Sequence, residues 1–393
     1  MGNIVALNGN DAVGTAMKQI NPDVVAAFPI TPQTELMHKF ADFVANGEVD
    51  TEFVLVESEH SAMSAVIGAS ASGARAMTAT SACGFALMWE VLYVAASCRL
   101  PIVMAVVNRA LSANINIHCD HSDTMGGRDT GWIQIYSENT QEAYDNTIQA
   151  VRIAENPNLL LPVMITLDGF ILSHTTETLN MLDDKDVRDW IGEYNPKHSL
   201  LDIKNPITVG PLDLQDYYFE HKRQQAEIIN NSYDVIVEVG KEYGKLTGRE
   251  YGLFEEYMME DAEIVAIVLG STAGTTKEAV DILREEGIKA GMIKLRVFRP
   301  FPYKELKEVL SNLKVISVLD RCISFGAYGG PVFNEIKAAL YGIGDPPEII
   351  NYIYGLGGRD ISIEEIKSVY YDMKKISEGG KVKEYVNYLG VRE

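Results

Sequence analysis

Residues 23–35 read DVVAAFPITPQTE, in which an apolar run leads into two prolines that enclose a threonine. Such a run is typical of a buried strand, and neither proline fits inside a β-ladder because proline lacks an N–H donor. Thr31 suits the N-cap of a helix and Pro32 its first turn, so we predict a helix that begins there and ends at Gly47. The stretch therefore predicts a strand, a rigid corner and a helix.

A rigid corner after a parallel strand lies where open α/β sheets bind their ligands. The N–H groups at a helix start favour anions, and the Thr31 hydroxyl would stand beside them. A capped turn that binds nothing explains the same residues. Both interpretations stay open at this point.

Short apolar strands alternate with helices from the N-terminus to about residue 175, which predicts an α/β fold with a doubly wound parallel sheet. The next fifty or so residues break this alternation with Asp, Pro and Asn, and residues 222–250 show a polar amphipathic pattern. A second series of strands and helices begins near Asp261. We therefore expect a sheet domain over 1–175, an extended arm and connecting helix over 176–257, and a second α/β domain over 258–393.

The composition excludes several classes of protein. The chain has 393 residues and a net charge of −21, which argues against nucleic acid and an anionic membrane surface as partners. Its four cysteines show no C-x-x-C spacing, which argues against an iron–sulfur cluster or a structural zinc in this chain. We expect a cytoplasmic protein, because the first residues do not resemble a signal peptide and no later segment is long and apolar enough for a bilayer.

Two carboxylates flank Ser58 in the sequence VLVESEHSA. Ser58 is a good N-cap, which places Glu57 at a strand end and Glu59 in the first helical turn. Both carboxylates would then complement the helix dipole, which is a purely structural role. Alternatively, one of them lies in a dry pocket, where desolvation favours the protonated form and the carboxyl shares a proton with a ligand nitrogen.

Arg109 ends the strand PIVMAVVNR and precedes a long polar loop, ALSANINIHCDHSDTMGGRDTGW. A guanidinium at a strand end suits a carboxylate through two parallel hydrogen bonds, although a surface ion pair also explains it. The His and Asp residues of the loop match no zinc or calcium spacing, so we predict no metal site there. Asp123, Arg128 and Asp129 alternatively form a buried ion-pair network that fixes the loop.

Four motifs, in the order FPITP, VESEHSA, NRALSANINIHCDHSD and RDTGWIQIYSEN, resemble the α subunit of the pyruvate:ferredoxin oxidoreductases. These are thiamin diphosphate-dependent 2-oxoacid:acceptor oxidoreductases, and the resemblance runs nearly end to end. It implies a thiamin-diphosphate-binding domain of the pyrimidine type, followed by a transketolase C-terminal-like domain. It also implies oxidative decarboxylation of pyruvate, with coenzyme A as co-substrate and ferredoxin as electron acceptor.

The same resemblance implies that this chain is one subunit of a larger complex. A β subunit would bind the cofactor's diphosphate with Mg²⁺ and carry a [4Fe-4S] cluster, and γ and δ subunits or fused equivalents would complete the assembly. The chain fits this division, because its one Gly-Asp pair, Gly344–Asp345, runs into prolines instead of forming the diphosphate motif.

The resemblance also assigns roles to three residues. By its position in VESEHSA, Glu59 resembles the glutamate that hydrogen-bonds N1′ of the thiamin aminopyrimidine. Thr31 and Arg109 resemble the pair that holds the carboxylate of pyruvate. Asn114 departs from the family, which often has proline after LSA, so an enzyme for 2-oxoisovalerate or 2-oxoglutarate stays an alternative. A non-catalytic scaffold subunit is a second alternative.

Overall fold

Two mainly parallel sheets flanked by helices organise the chain in this computed structural model, which describes residues 3–392. The strands are β1 (Asn3–Asn8), β2 (Val24–Ala27), β3 (Glu52–Leu55), β4 (Ala76–Thr80), β5 (Val103–Asn108), β6 (Ile133–Tyr136), β7 (Val163–Asp168), β8 (Thr176–Met181), β9 (Phe254–Tyr257), β10 (Ile264–Leu269), β11 (Ala290–Leu295), β12 (Val297–Arg299), β13 (Val315–Asp320), β14 (Glu348–Ile353) and β15 (Val386–Tyr388). The helices are α1 (Gly9–Ile20), α2 (Thr34–Ala45), α3 (Glu59–Ala71), α4 (Ala82–Leu87), α5 (Trp89–Ser97), α6 (Ser122–Gly126), α7 (Thr140–Ala154), α8 (Asp184–Ile191), α9 (Tyr218–Asn230), α10 (Ser232–Thr247), α11 (Thr272–Glu285), α12 (Tyr303–Leu310), α13 (Pro331–Ala339) and α14 (Ile363–Ser377), with a short 3₁₀ turn at Leu356–Gly358.

The first sheet has seven strands in the order β12-β6-β7-β5-β4-β2-β3, and all of them except β12 run parallel. Its central strands are apolar throughout because helices cover both faces. In β5, Val103 and Ala105 pack into the core on one face, and Met104 and Val106 pack into the core on the other. The predicted doubly wound α/β fold is therefore confirmed. The strand order reverses at β2, and such a reversal opens a crevice beyond the carboxyl ends of the strands.

The second sheet has six strands in the order β15-β14-β13-β10-β11-β9, of which only β9 is antiparallel. Helices α11 and α14 pack on one face, and α12 and α13 pack on the other. This arrangement confirms the predicted second α/β unit. Strand β12 belongs to this part of the chain but pairs antiparallel with β6. The second unit therefore supplies an edge strand of the first sheet.

The segment between the two sheets is partly regular. Strand β8 pairs with β1 in an antiparallel ribbon, whereas residues 192–217 contain no helix or strand. The single helix predicted over 222–250 is wrong in detail, because α9 and α10 meet at Asn231. Ile236 of α10 is buried in the core of the first sheet, so this helix packs with the first unit. The domain limits at 175 and 257 stay a prediction.

A buried cluster of polar side chains joins the two units at the end of β7. Asp168 accepts hydrogen bonds from His121 Nε2 at 2.8 Å and from Arg321 Nη1 at 2.9 Å. Ser271 donates to the same carboxylate through its backbone N–H at 3.1 Å and its hydroxyl at 2.5 Å. Burial opposes the ionisation of Asp168, but the neighbouring His121 and Arg321 hold its pKa well below the usual range.

A bilayer-spanning helix is absent from residues 3–392, since none of the helices there combines the required length with sufficient apolarity.

The Asp168 cluster leads to a prediction about stability. We expect Asp168→Asn to lower the free energy of unfolding by about 3–5 kcal/mol, because Arg321 keeps its charge in a dry site and loses its counter-ion. Urea unfolding of the full-length chain, followed by circular dichroism, measures the change. Asp189→Asn is the control, since its pair with Lys185 is exposed to solvent and should contribute little to stability. Equal losses in both variants would contradict the prediction.

Candidate active site

Four consecutive strands of the first sheet, β2 to β5, end at one edge, and a polar or glycine-containing turn follows each of them. Thr31 follows β2, Glu59 follows β3, Gly84 follows β4 and Arg109 follows β5. Because parallel strands place their carboxyl ends together, this edge collects all three residues that the sequence singled out. It is therefore the candidate active site.

Buried amide side chains fix the corner between β2 and α2. Asn10 Nδ2 donates to the Pro32 carbonyl at 2.9 Å, and Gln33 Nε2 donates to the Ala79 carbonyl at 3.0 Å. Both amides belong to fully buried residues, so the hydrogen bonds that they make are costly to break. They leave Thr31 exposed at the tip of a fixed corner.

The prediction that Thr31 caps a helix is wrong. The Ile30 carbonyl accepts hydrogen bonds from Gln33 N at 2.8 Å and from Thr34 N at 3.1 Å, so residues 30–33 form a separate turn before the helix. Helix α2 begins at Thr34 and has no side-chain N-cap. Within residues 3–392 the Thr31 hydroxyl makes no hydrogen bond, and it is available to a ligand.

Glu59 is buried, with 7% of its surface exposed, and its carboxyl group has no hydrogen-bond partner within residues 3–392. The absence of a side chain at Gly84 makes room for it, since a Cβ there would lie 2.6 Å from Glu59 Oε1. Thr80 Oγ1 is the same 2.6 Å from that point, and it is also buried without a partner. Buried polar atoms without partners are costly and mark a place for a ligand.

Glu57, the other carboxylate of the pair, has a different environment. It is exposed and accepts a hydrogen bond from the Ser61 hydroxyl at 2.5 Å, which lowers the pKa of Glu57. Ser58 caps α3 as predicted, because its hydroxyl accepts from Ser61 N at 3.2 Å. Glu57 therefore supports the helix start, and of the two carboxylates only Glu59 belongs to a buried residue.

Arg109 is buried to a similar degree, with 8% exposed, yet its partners are neutral. Its Nε donates to the Asn116 carbonyl at 3.2 Å and its Nη1 donates to the Thr31 carbonyl at 3.0 Å. Among residues 3–392 no carboxylate lies within ion-pair distance, and Nη2 has no acceptor. The structure therefore brings Thr31 and Arg109 together, and it leaves a buried positive charge uncompensated, which favours an anionic ligand.

Asp123 ties the two turns of the site together. Its carboxylate accepts hydrogen bonds from the backbone N–H of Ala82 at 3.1 Å and of Arg109 at 3.0 Å, and from Asn108 Nδ2 at 2.8 Å. Burial raises the pKa of Asp123 to about 6, although these N–H donors oppose the rise. The turn that supports Glu59 and the strand end that carries Arg109 therefore share one acceptor.

The alternative ion-pair network of the loop is wrong, because Asp123 contacts neither of its expected partners. Arg128 lies 3.9 Å from Asp129 near the surface instead. Asp123 instead accepts from the N–H groups of Ala82, Asn108 and Arg109 at the strand ends, because a buried carboxylate requires hydrogen-bond donors.

A metal site at the loop is disfavoured by a neighbouring guanidinium. The ligand atoms of Cys119, His121 and Asp168 lie within 4.8 Å of one another. However, Arg321 Nη1 lies 2.9 Å from Asp168 and 3.9 Å from Cys119 Sγ, so a cation already stands between them. A second cation there would meet like charge.

Sequence reasoning missed Thr80, Gly84, Asp123 and Asn116 as parts of the site. The turn SACG after β4 carries a recognisable pattern, since a glycine beyond a buried strand often marks close approach of a ligand or another side chain. Asp123 and Asn116 lie in a loop whose path no local pattern predicts.

Two family models match most of the chain. A family model described as "Pyruvate flavodoxin/ferredoxin oxidoreductase, thiamine diP-bdg" matches residues 15–241, which is more than half of the chain. The chain belongs to this family. A second model, "Pyruvate:ferredoxin oxidoreductase core domain II", matches residues 262–366. The predicted resemblance is confirmed.

Relatives extend over the full chain. The pyruvate synthase subunit PorA of Thermotoga maritima is 56% identical over 99% of this chain and 98% of its own length. That of Methanocaldococcus jannaschii is 47% identical over 99% of this chain and 98% of its own. The ketoisovalerate oxidoreductase subunit VorA of Pyrococcus horikoshii is 47% identical over 98% of each. These relatives confirm the prediction of an oxidoreductase subunit.

Two solved structures share the fold. A 2-oxoglutarate:ferredoxin oxidoreductase from Magnetococcus marinus, solved with 2-oxoglutarate, coenzyme A and succinyl-CoA bound, superposes with a TM-score of 0.76 at 21% identity. The match covers 95% of this chain and 65% of that one. A split-gene transketolase superposes with a TM-score of 0.55 at 12% identity, over 94% and 99% of the two chains. Both confirm the predicted thiamin-type fold with its transketolase-like second domain.

The shared acceptor Asp123 leads to a second prediction. Asp123→Asn should lower the free energy of unfolding by about 2–3 kcal/mol, because a buried N–H donor at Ala82 or Arg109 loses its acceptor. The raised pKa means that the wild-type chain takes up a proton on folding between pH 6 and about 4. That contribution is present at pH 5 and is lost as the pH rises through 6, so the gap between the two proteins should be about 1 kcal/mol wider at pH 5 than at pH 8.

Urea unfolding of the full-length chain at both pH values tests this expectation. Asp129→Asn is the matched control, since Asp129 is an exposed aspartate of the same loop and should change stability by less than about 0.5 kcal/mol. A gap of the same size at both pH values would mean that Asp123 stays ionised at pH 5, and it would contradict the prediction.

Proposed function

We propose that this chain is the α subunit of a pyruvate:ferredoxin oxidoreductase. The enzyme converts pyruvate, coenzyme A and two oxidised ferredoxins into acetyl-CoA, CO₂, two reduced ferredoxins and a proton, and the reaction is reversible. One observation carries the proposal: in a chain of this family, the unpartnered Glu59 carboxyl and the uncompensated Arg109 guanidinium lie at the same strand edge.

Thiamin diphosphate fits the Glu59 pocket by the chemistry of its groups. The Thr80 hydroxyl is buried without a partner, and the carboxyl of the buried residue Glu59 has none within residues 3–392, whereas an aminopyrimidine offers both donors and acceptors. When bound, thiamin diphosphate supplies the nucleophilic carbon and the electron sink for decarboxylation. Glu59 would hydrogen-bond N1′ of the ring, because its carboxyl has no other partner within residues 3–392.

Arg109 and Thr31 would bind the carboxylate of the 2-oxoacid. Two carbonyl groups already orient Arg109. Its unpaired Nη2 could therefore donate to the substrate carboxylate without a further entropic cost of ordering the side chain. The exposed Thr31 hydroxyl on the fixed corner adds a third donor. Together they would neutralise the carboxylate until CO₂ leaves, and they exclude water from one side of the substrate.

The chain would contribute half of a shared active site. Exposed apolar side chains, including Leu87, Trp89 and Val94, follow Gly84 along α4 and α5, and Trp89 is 50% exposed. Such a surface beside an incomplete site suits a partner subunit. We propose that a β subunit docks there with the diphosphate site, Mg²⁺ and a [4Fe-4S] cluster, that γ and δ subunits complete the path to ferredoxin, and that the complex is cytoplasmic.

The preferred 2-oxoacid leads to a third prediction. We expect the complete complex to use pyruvate with a kcat/KM at least tenfold above that for 2-oxoisovalerate, because the PorA relative at 56% identity exceeds the VorA relative at 47%. The assay compares pyruvate, 2-oxobutyrate, 2-oxoisovalerate and 2-oxoglutarate with coenzyme A and a viologen acceptor. Equal or higher values on the branched acid would favour a 2-oxoisovalerate enzyme instead.

The role of Glu59 gives a fourth prediction. Glu59→Gln should lower kcat of the reconstituted complex by about 10²-fold or more, since the amide holds no proton to share with the ring. Size-exclusion chromatography should show normal assembly. Glu57→Gln is the matched control and should keep activity within about twofold, because Glu57 is exposed and supports only the helix start. Full activity of Glu59→Gln would favour a scaffold subunit.

Two glycine-to-alanine variants distinguish an effect on the surroundings of the Glu59 carboxyl from a general effect on helix α3. Gly84→Ala would place a Cβ 2.6 Å from Glu59 Oε1, whereas a Cβ at Gly68 of α3 meets no atom within 4 Å. Gly84→Ala should therefore weaken the apparent affinity for thiamin diphosphate at least tenfold, and Gly68→Ala should leave it unchanged.

A further inference from the structure

A glycine turn of the second unit, residues 355–358, lies against the loop that follows β5 of the first. Gly358 N donates to the Cys119 carbonyl at 2.6 Å, and Asn116 Nδ2 donates to the Gly357 carbonyl at 3.0 Å. These hydrogen bonds join residues about 240 positions apart in the sequence. The second unit therefore holds the loop at two points.

The contact leaves no space for a side chain at Gly357 or Gly358. A Cβ at Gly357 would lie 2.3 Å from Asn116 Nδ2, and a Cβ at Gly358 would lie 2.4 Å from His118 Cβ. Both glycines also have positive φ, +62° and +78°. Glycine is needed at each position for the backbone conformation and for the close approach.

The residue held by this turn is also an anchor of Arg109. The Asn116 carbonyl accepts from Arg109 Nε at 3.2 Å, and the Thr31 carbonyl accepts from Arg109 Nη1 at 3.0 Å. At the base of the loop, Ala110 N donates to the His118 carbonyl at 2.9 Å. The side chain of Asn116 is thus held from two sides, by the Gly357 carbonyl of the second unit and by His118 N of its own loop, which donates to its Oδ1 at 2.8 Å. Its backbone carbonyl orients the guanidinium.

We propose that the glycine turn at 355–358 contributes to specificity for the 2-oxoacid. It does so by fixing Asn116 and, through Asn116, the direction of the Arg109 guanidinium. Asn116 is a positioning residue, since it acts on the substrate through Arg109. This inference rests on the proposed function, in which Arg109 binds the substrate carboxylate. It gives the second unit of this chain a direct part in substrate affinity.

Other contacts also join the two units. The Asp168 cluster already joins the two units through buried, charged hydrogen bonds to Arg321 and Ser271. The glycine turn instead contacts a loop whose residues 112–115 are exposed and which the buried core does not fix. Disturbing the turn should therefore change the geometry at Arg109 more than it changes unfolding.

The test compares two glycine-to-alanine variants in the complete complex. Gly357→Ala adds both backbone strain and a clash with Asn116, whereas Gly342→Ala adds similar strain at φ +80° but meets no atom within 4 Å. We expect Gly357→Ala to raise KM for pyruvate about tenfold, with kcat and the apparent affinity for thiamin diphosphate within about twofold of wild type. Gly342→Ala should leave all three values unchanged.

Asn116→Ala gives an independent test that adds no bulk. It removes the side-chain hydrogen bonds with the Gly357 carbonyl and with His118 N but keeps the carbonyl that accepts from Arg109, so KM should rise about threefold or more at an unchanged melting temperature. The ratio of kcat/KM for pyruvate to that for 2-oxobutyrate should fall in both Gly357→Ala and Asn116→Ala, because a less rigid Arg109 tolerates a displaced substrate.

Arg109→Lys separates failure of the inference from failure of the proposed function. A wild-type KM in Asn116→Ala, together with a raised KM in Arg109→Lys, would overturn the role of the glycine turn. A wild-type KM in Arg109→Lys would overturn the proposed function itself. If Gly357→Ala does not assemble, Asn116→Ala decides the question alone.

Discussion

A carboxylate buried at the edge of a parallel sheet must find donors, and this requirement organises the whole site. Asp168 receives its donors from the second unit and so joins the two sheets. Asp123 receives backbone N–H groups from two neighbouring turns and so fixes their separation. Glu59 has no such donors among residues 3–392, and its desolvation cost is left for a ligand to offset. Asp168 and Asp123 thus have their hydrogen-bond donors within the chain, whereas Glu59 is the carboxylate that we propose binds a ligand.

The sequence predicted the architecture because the controlling patterns are local. A strand covered on both faces is mostly apolar on both of them, so β5 and β7 could be recognised from their composition although β5 ends in Asn108 and β7 contains Thr166 and Asp168. The cap at Ser58 was predicted for the same reason, since a hydroxyl and the N–H three residues later are fixed by helix geometry. Thr31 was misread as a cap because the Ile30 carbonyl captures two N–H groups first, a competition that residue preferences do not reveal.

The remainder of the site depends on contacts between distant residues. Gly84 matters because Glu59 lies against it, and Asn116 matters because Gly357 lies against it, and neither pairing leaves a periodic pattern in the sequence. The edge strand β12 likewise pairs with β6 across more than 150 residues. Roles for Glu59, Thr31 and Arg109 came from the family resemblance, whereas their burial and lack of partners came from the fold.

The proposed anion site rests on a contrast between two arginines. Arg321 and Arg109 are both buried, but Arg321 is paired with the Asp168 carboxylate, which neutralises it. Arg109 is held by the carbonyls of Thr31 and Asn116, which orient a guanidinium without cancelling its charge. Neutral anchors thus retain the attraction for a carboxylate and fix its direction. Under the proposed function, the hydrogen bond between Asn116 and the second unit would make substrate affinity a property of the whole chain and not of the first sheet alone.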